Sequence, residues 1–192
     1  ARFCGRSAGE PIVSLLPDSV YMAHPDGKTP FFLASLRKTV YHVGRRKEAL
    51  RMKVIICIDE RGGVRFHDRR VSQDVAQRRD VIARYGKDGL LMRKDTAALY
   101  AGETDAIHVV DDWEQGLGQD GWWVCEDTAF LRWEEQLEEV ILYRWNRRYP
   151  SDEALRLCLS LPLWRCVAVY DLPGKSHARI DVEHYVKGRN QK

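Results

Sequence analysis

The run Val54-Ile55-Ile56-Cys57-Ile58 is apolar at every position, with none of the polar alternation of a strand that has one face in water. An unbroken run of this length, rich in β-branched residues and closed by the turn-forming Asp59-Glu60-Arg61-Gly62-Gly63, fits a central strand buried on both faces. Such a strand needs cover on each side, and the segments after it supply candidates. Val75, Ala76, Val81 and Ile82 fall on one helix ending near Tyr85-Gly86, with Ser72 as its expected N-cap. Gly89-Leu90-Leu91-Met92 predicts a short strand, and Asp95 or Thr96 caps a helix over 97–100. Further strands are predicted over 106–110, 122–125 and 140–145, with a helix over 128–137. Residues 164–172 and 179–186 read as strands about the turn Pro173-Gly174-Lys175, the second also open to a helical reading. Strands alternating with short helices predict a three-layer α/β fold. Its sheet is mostly parallel with helices on both faces, and an antiparallel C-terminal hairpin forms one edge.

Residues 1–51 carry no such order, because Gly5, Gly9, Pro11, Pro17, Pro25, Gly27 and Pro30 interrupt every emerging period. The expected division is a basic, poorly ordered extension over 1–51 and a single α/β domain over 52–192, with Met52 a candidate start. Residues 1–52 hold nine basic and four acidic side chains, so the +3 charge of the chain resides in its N-terminal quarter. A net charge so close to balance does not by itself argue for nucleic acid. With 44% hydrophobic and 31% charged residues, wholesale disorder is excluded.

The five cysteines, Cys4, Cys57, Cys125, Cys158 and Cys166, form no CxxC pair; buried free thiols in a reducing cytoplasm are expected. No apolar run approaches the ~20 residues that span a bilayer. The short run at 12–16, ended by Pro17, is too brief for a signal peptide. The expected location is therefore cytoplasmic, with no membrane partner.

Chemical motifs are sparse. The six histidines show no HxH or HExxH spacing, so no metal site is expected. There is no GxSxG elbow, and Ser176-His177 are neighbours that in a strand would point to opposite faces. Gly116-Leu117-Gly118 lacks the third glycine of a dinucleotide fingerprint. Tyr143-Arg144-Trp145-Asn146-Arg147-Arg148-Tyr149 interleaves arginines with aromatics, which fits either an RNA surface or a packed aromatic edge with solvated arginines.

From Met52 onward the order of segments resembles the dihydrofolate reductase family. A first strand, a Gly-containing loop and Asp74 at a helix start match that family's layout for its single pocket carboxylate. Leu90-Leu91-Met92-Arg93-Lys94-Asp95-Thr96 resembles the strand and turn holding the cofactor's phosphate end. Trp122-Trp123-Val124-Cys125-Glu126-Asp127 stands where the family has a strand ending in Gly-Gly, and residues 164–186 resemble its closing hairpin with a Ser-His turn. The resemblance implies Asp74 as the catalytic candidate, Ile56 and Cys57 along the ligand, and Lys94 and Thr96 at a phosphate. Arg144, ending the next strand, is a further ligand-binding candidate. It departs at Asp68, Arg69, Arg70 and Val71, which replace the family's loop tryptophan and prolines, at Arg78 and Arg93, and most sharply at Glu126 and Asp127. Two carboxylates where backbone N–H groups approach a pyrophosphate argue against NADPH held in the family manner. The implied function is the binding of a small heterocyclic or nucleotide-like ligand, with reductase activity doubtful. The alternatives are an RNA-interacting protein or a non-catalytic partner-binding module. Residues 140–150 also resemble a run in small uncharacterised bacterial proteins, some labelled ribonuclease Z, whose genuine members need an HxHxDH zinc motif absent here.

Overall fold

The structure, a computed structural model, describes residues 51–188. The expected N-terminal extension therefore lies outside the described residues, apart from Arg51. Strand β1 (Met52–Ile58) lies at the centre of a seven-stranded sheet ordered β5-β4-β6-β1-β7-β10-β9. Its neighbours are β6 (Trp122–Cys125) and β7 (Leu137–Arg144), both parallel to it, and β4 (Leu90–Met92) and β5 (Ile107–Val109) continue the parallel half. The antiparallel hairpin of β9 (Trp164–Leu172) and β10 (Ile180–Lys187) completes the other edge against β7. The second late segment is thus a strand. The expected α/β architecture, mostly parallel with an antiparallel C-terminal hairpin, is the one observed.

The apolar run of β1 divides by parity between two cores. Val54, Ile56 and Ile58 pack on one face with Leu91, Trp123, Val140, Leu142 and Trp164. Ile55 packs on the other with Val81, Met92, Tyr100, Ile141, Tyr143 and Val182. The second face is covered by α1 (Val75–Tyr85) and α2 (Lys94–Tyr100). The first carries less helix than expected: the one-turn α3 (Trp113–Gly116) and a 3₁₀ segment, Ala129–Gln136, broken at Trp133. Trp113 stacks on Trp123 with ring centroids 4.4 Å apart. A side chain at Gly116 would put its Cβ 2.0 Å from the Trp123 ring, so this helix contacts the sheet only because residue 116 has none.

A second, three-stranded sheet, β3-β2-β8, was not anticipated. Strands β2 (Gly63–Phe66) and β3 (Arg69–Arg70) form a hairpin, with β8 (Glu153–Ala154) alongside β2. Its two turn residues, His67 and Asp68, both have positive φ (48° and 59°), the geometry that matches strand twist in a two-residue hairpin. Buried thiols are found at Cys125 and in part at Cys57, whereas Cys158 and Cys166 are exposed, in a loop and on the edge strand β9. No helix among the described residues is long and apolar enough to cross a membrane.

Helix α1 is clipped to the sheet by Asp80. One of its oxygens accepts hydrogen bonds from Tyr143 of β7 at 2.7 Å and Tyr170 of β9 at 2.8 Å, while the other accepts one from Arg84 at 2.9 Å. Removing one hydroxyl leaves the remaining two donors in place. Tyr143→Phe is therefore expected to lower unfolding free energy by about 1–2 kcal/mol in urea titration, with the fold retained.

Candidate functional site

The first turn of α1 meets the β9–β10 turn around one carboxylate. Asp74, and not Ser72, is the N-cap: its side chain reaches the Ala76 amide at 2.8 Å, as N-cap geometry requires. The same carboxylate accepts the backbone N–H of Lys175 (2.9 Å), Ser176 (2.7 Å) and His177 (3.2 Å), the Ser176 hydroxyl (2.9 Å) and the His177 ring at Nδ1 (3.1 Å). Its side chain is 0% exposed. Gly174 permits this approach, since a Cβ there would lie 2.7 Å from the Asp74 carboxylate and 2.6 Å from the His177 carbonyl. Burial works to raise the Asp74 pKa, but the amides of Lys175, Ser176 and Ala76 and the His177 ring outweigh it and hold the group well below the usual carboxylate range.

An ionised Asp74 can only accept, so the proton on the His177 ring belongs at Nδ1 and Nε2 is left as an acceptor. Two hydroxyls meet Nε2: Tyr149 at 2.9 Å and Ser72 at 3.1 Å. Tyr149 is placed by a second buried carboxylate, Asp59, which accepts its backbone N–H at 3.0 Å and those of Arg61 and Gly63 at 2.7 and 2.6 Å. The His177 ring stacks on Trp145 with centroids 4.6 Å apart and planes 19° from parallel. Sequence reasoning placed Ser176-His177 in a hairpin turn but weighed their chemistry as a strand pair facing opposite ways, and so did not join them to Asp74. In a turn, both side chains fold back onto Asp74. The cluster sits where the parallel strands β1 and β7 end, the usual side for function in open α/β sheets.

Beside it, a cavity of about 30 Å³ lies between β1, α1 and α2, lined among others by Ile55, Cys57, Ser72, Arg78, Tyr100 and Trp145. Three donors on its lining residues are buried without a hydrogen-bond partner among the described residues: Arg70 Nη1, Arg78 Nε and Trp145 Nε1. Burial pushes the Cys57 thiol well up, so it remains a neutral wall. A far larger, open space of about 540 Å³ lies over Trp145, Arg147, Ser176, His177 and Arg179, and a small cavity of about 10 Å³ is walled by Arg65, Arg93, Thr96, Glu126 and Asp127 among others. Here the β2–β3 hairpin delivers arginines to the two carboxylates: Arg70 to Glu126 at 3.1 Å and Arg65 to Asp127 at 3.6 Å, with Arg93 on Asp127 at 3.2 Å. Burial raises the Glu126 pKa against the pull of Arg70.

Of the residues predicted from sequence, Cys57 lines the cavity between β1, α1 and α2 and Thr96 the smaller one, while Asp74 is held in the clasp. Ile56 faces the opposite core, and Ile55 takes the place expected of it. Lys94 is exposed at the start of α2. Arg144 is apart from the rest, bound through two nitrogens to Glu183 at 2.8 and 3.1 Å. Arg148 pairs with Glu60 at 2.8 Å, while Arg147 lies over the Tyr149 ring at 5.5 Å without an ion-pair partner among the described residues. Trp145 and Tyr149 stood out only as part of the arginine-aromatic run, Arg70 and Arg78 only as departures from the resembling family, and Ser72 only as a helix cap.

Asp74→Asn would set an amide N–H₂ against donors. It is expected to lower stability by about 2–4 kcal/mol, far beyond an ordinary cap. The Asp74 pKa is depressed in the folded state, so its contribution is complete above the unfolded value near ~4 and fades as pH falls below it. Acidification below about pH 5 should thus destabilise the wild type more steeply than the Asn variant in paired urea titrations. Parallel pH curves for the two proteins would contradict the clasp.

No family model matches the chain, and no curated protein matches it. Among solved structures it is similar to the dihydrofolate reductase of Enterococcus faecalis, determined in complex with NADP(H) and RAB-propyl, with a TM-score of 0.52 at 10% identity. The match covers 72% of this chain and 96% of that one. At that identity the likeness speaks for the fold alone, and together with the sheet order it establishes a dihydrofolate-reductase-like α/β domain.

Proposed function

We propose that this domain binds a small anionic or otherwise acceptor-rich molecule, of which a nucleotide-like compound is one class, in the cavity between β1, α1 and α2. The observation that carries this reading is that three residues lining that cavity, Arg70, Arg78 and Trp145, each hold a buried donor without a partner among the described residues (Nη1, Nε and Nε1), against two, on Arg65 and Trp113, beside the smaller one. A buried donor left unpaired costs about 1–3 kcal/mol, and three together favour a site completed by acceptor oxygens. The cavity of about 30 Å³ admits only the head of such a ligand, a carboxylate or one face of a phosphate. The remainder would lie along Ser72 and the exposed Gln73 at the rim.

The residues present do not fit NADP(H) in the manner of the fold family. Where the resemblance assigns the pyrophosphate, the space is about 10 Å³ and walled by Glu126 and Asp127 with their arginines. A second anion there meets two carboxylates, with repulsion of order 1–4 kcal/mol each at ~4 Å, whereas of the two only Glu126, paired with Arg70 at 3.1 Å, also borders the cavity proposed above. No step through a dinucleotide is derived for this chain.

The melting temperature in the presence of inorganic phosphate, acetate, adenosine monophosphate and NADPH tests the reading. At least one of the first three at millimolar concentration should raise it by several degrees, and NADPH should add nothing beyond what its terminal phosphates provide. Trp145→Phe keeps most of the ring and deletes the N–H, so it should weaken the shift severalfold without unfolding the protein. A flat response to all three anions, or an unchanged shift in Trp145→Phe, would overturn the proposal.

A further inference from the structure

The hydroxyl of Ser72 sits at the meeting point of the two halves of the site. It touches His177 Nε2 at 3.1 Å and also borders the cavity lined by Arg70, Arg78 and Trp145, each of which holds a buried donor without a partner among the described residues. Behind His177, Asp74 holds Nδ1 at 3.1 Å from a carboxylate locked by four backbone N–H groups and the Ser176 hydroxyl. Hydroxyl, imidazole and buried carboxylate in that order, with donors for a developing negative charge nearby, are the parts of an activated nucleophile. The ring cannot swing away, because Trp145 is stacked on its face and its side chain is 2% exposed. Ser72 is partly exposed and can be reached from outside.

We infer that Ser72, His177 and Asp74 form a nucleophile–base–orienter relay for acyl transfer, acting on a small carboxylic ester whose anionic group is held as in the function proposed above. The inference rests on that reading for its substrate class but not for the nucleophile. In the first half-reaction Ser72 Oγ forms a bond to the ester carbonyl carbon while its proton passes to His177 Nε2. The bond from that carbon to the alcohol oxygen then breaks, and the His177 proton goes to the departing alcohol. In the second half-reaction a water gives its proton to His177 Nε2 and attacks the acyl-Ser72 carbonyl. Ser72 recovers the proton as the acid leaves, so ester and water become acid and alcohol with no other reactant. Asp74 stays ionised throughout and keeps the base in the tautomer that accepts from Ser72. Tyr149 accepts the Ser72 hydroxyl at 3.2 Å and itself stands 2.9 Å from Nε2, so the Ser72 proton reaches Nε2 only when Tyr149 gives way.

Reaction of the full chain with a fluorophosphonate, followed by intact mass and peptide mapping, tests the relay. The expected result is one adduct per chain on Ser72, absent in Ser72→Ala and formed at least tenfold more slowly in His177→Gln. In Tyr149→Phe, Ser72 alone faces Nε2, and its labelling should be faster than in the wild type. Melting temperatures confirm that each variant is folded. No adduct on the folded wild type, an adduct on Tyr149, or a rate indifferent to His177→Gln would overturn the relay. Failure of labelling with the phosphate or acetate melting shift intact would sink the relay and leave the binding reading standing. Labelling of Ser72 without any anion shift would do the reverse.

Discussion

Six donors converge on the carboxylate of Asp74, and this one group fixes the relation between the start of α1 and the β9–β10 turn. The two segments are about a hundred residues apart in sequence and share no strand pairing. What joins them is the demand of a buried charge for hydrogen bonds, which an uncharged residue would neither make nor satisfy. The constraint propagates outward. Gly174 has no side chain because the carboxylate occupies the space beside it, Ser176 and His177 are turned inward, and the imidazole is presented edge-on to Ser72 and Tyr149. A group that the fold's resemblance assigns to a ligand is here consumed in organising the protein around a different set of side chains.

The same substitution of internal charge for ligand contacts runs through the neighbouring cavity. Glu126 and Asp127 end β6, and the β2–β3 hairpin supplies Arg70 and Arg65 to meet them while Arg93 approaches from before α2. Ion pairs this poorly solvated need every partner, because a single deletion leaves an opposite charge uncompensated. The hairpin is therefore tied to the sheet through charge as well as through its pairing with β8. In closing one space it also carries Arg70 to the wall of the other, with one nitrogen buried and without a partner among the described residues.

How far these features can be read from sequence follows from the physics of each. The main strands were legible along the chain because β1, β4, β6 and β7 announce themselves as apolar runs broken by turn residues, whereas their order in the sheet is set by the tertiary fold. Which face each residue takes was not: in a run apolar on both sides, Ile55 and Ile56 carry the same signal, and only the tertiary fold assigns the cavity to Ile55. The β2–β3 hairpin was invisible because His67 and Asp68 form its positive-φ turn without the glycine or asparagine that usually marks one. Ser72 and Asp74 are both good N-cap residues two positions apart, and local preference cannot rank them. The choice is made by the distant turn that engages Asp74 and frees Ser72 for His177. Residues 1–50 lie beyond what the structure describes.

The account depends most on the clasp, and amide hydrogen exchange reads it directly. The N–H groups of Lys175 and Ser176 lie in a turn outside any strand ladder, where exchange would ordinarily be fast. Bound to the Asp74 carboxylate at 2.9 and 2.7 Å, they should instead exchange as slowly as the flanking strands β9 and β10, and the protection should vanish in Asp74→Asn. Rapid exchange of both amides in the wild-type protein at neutral pH would contradict it.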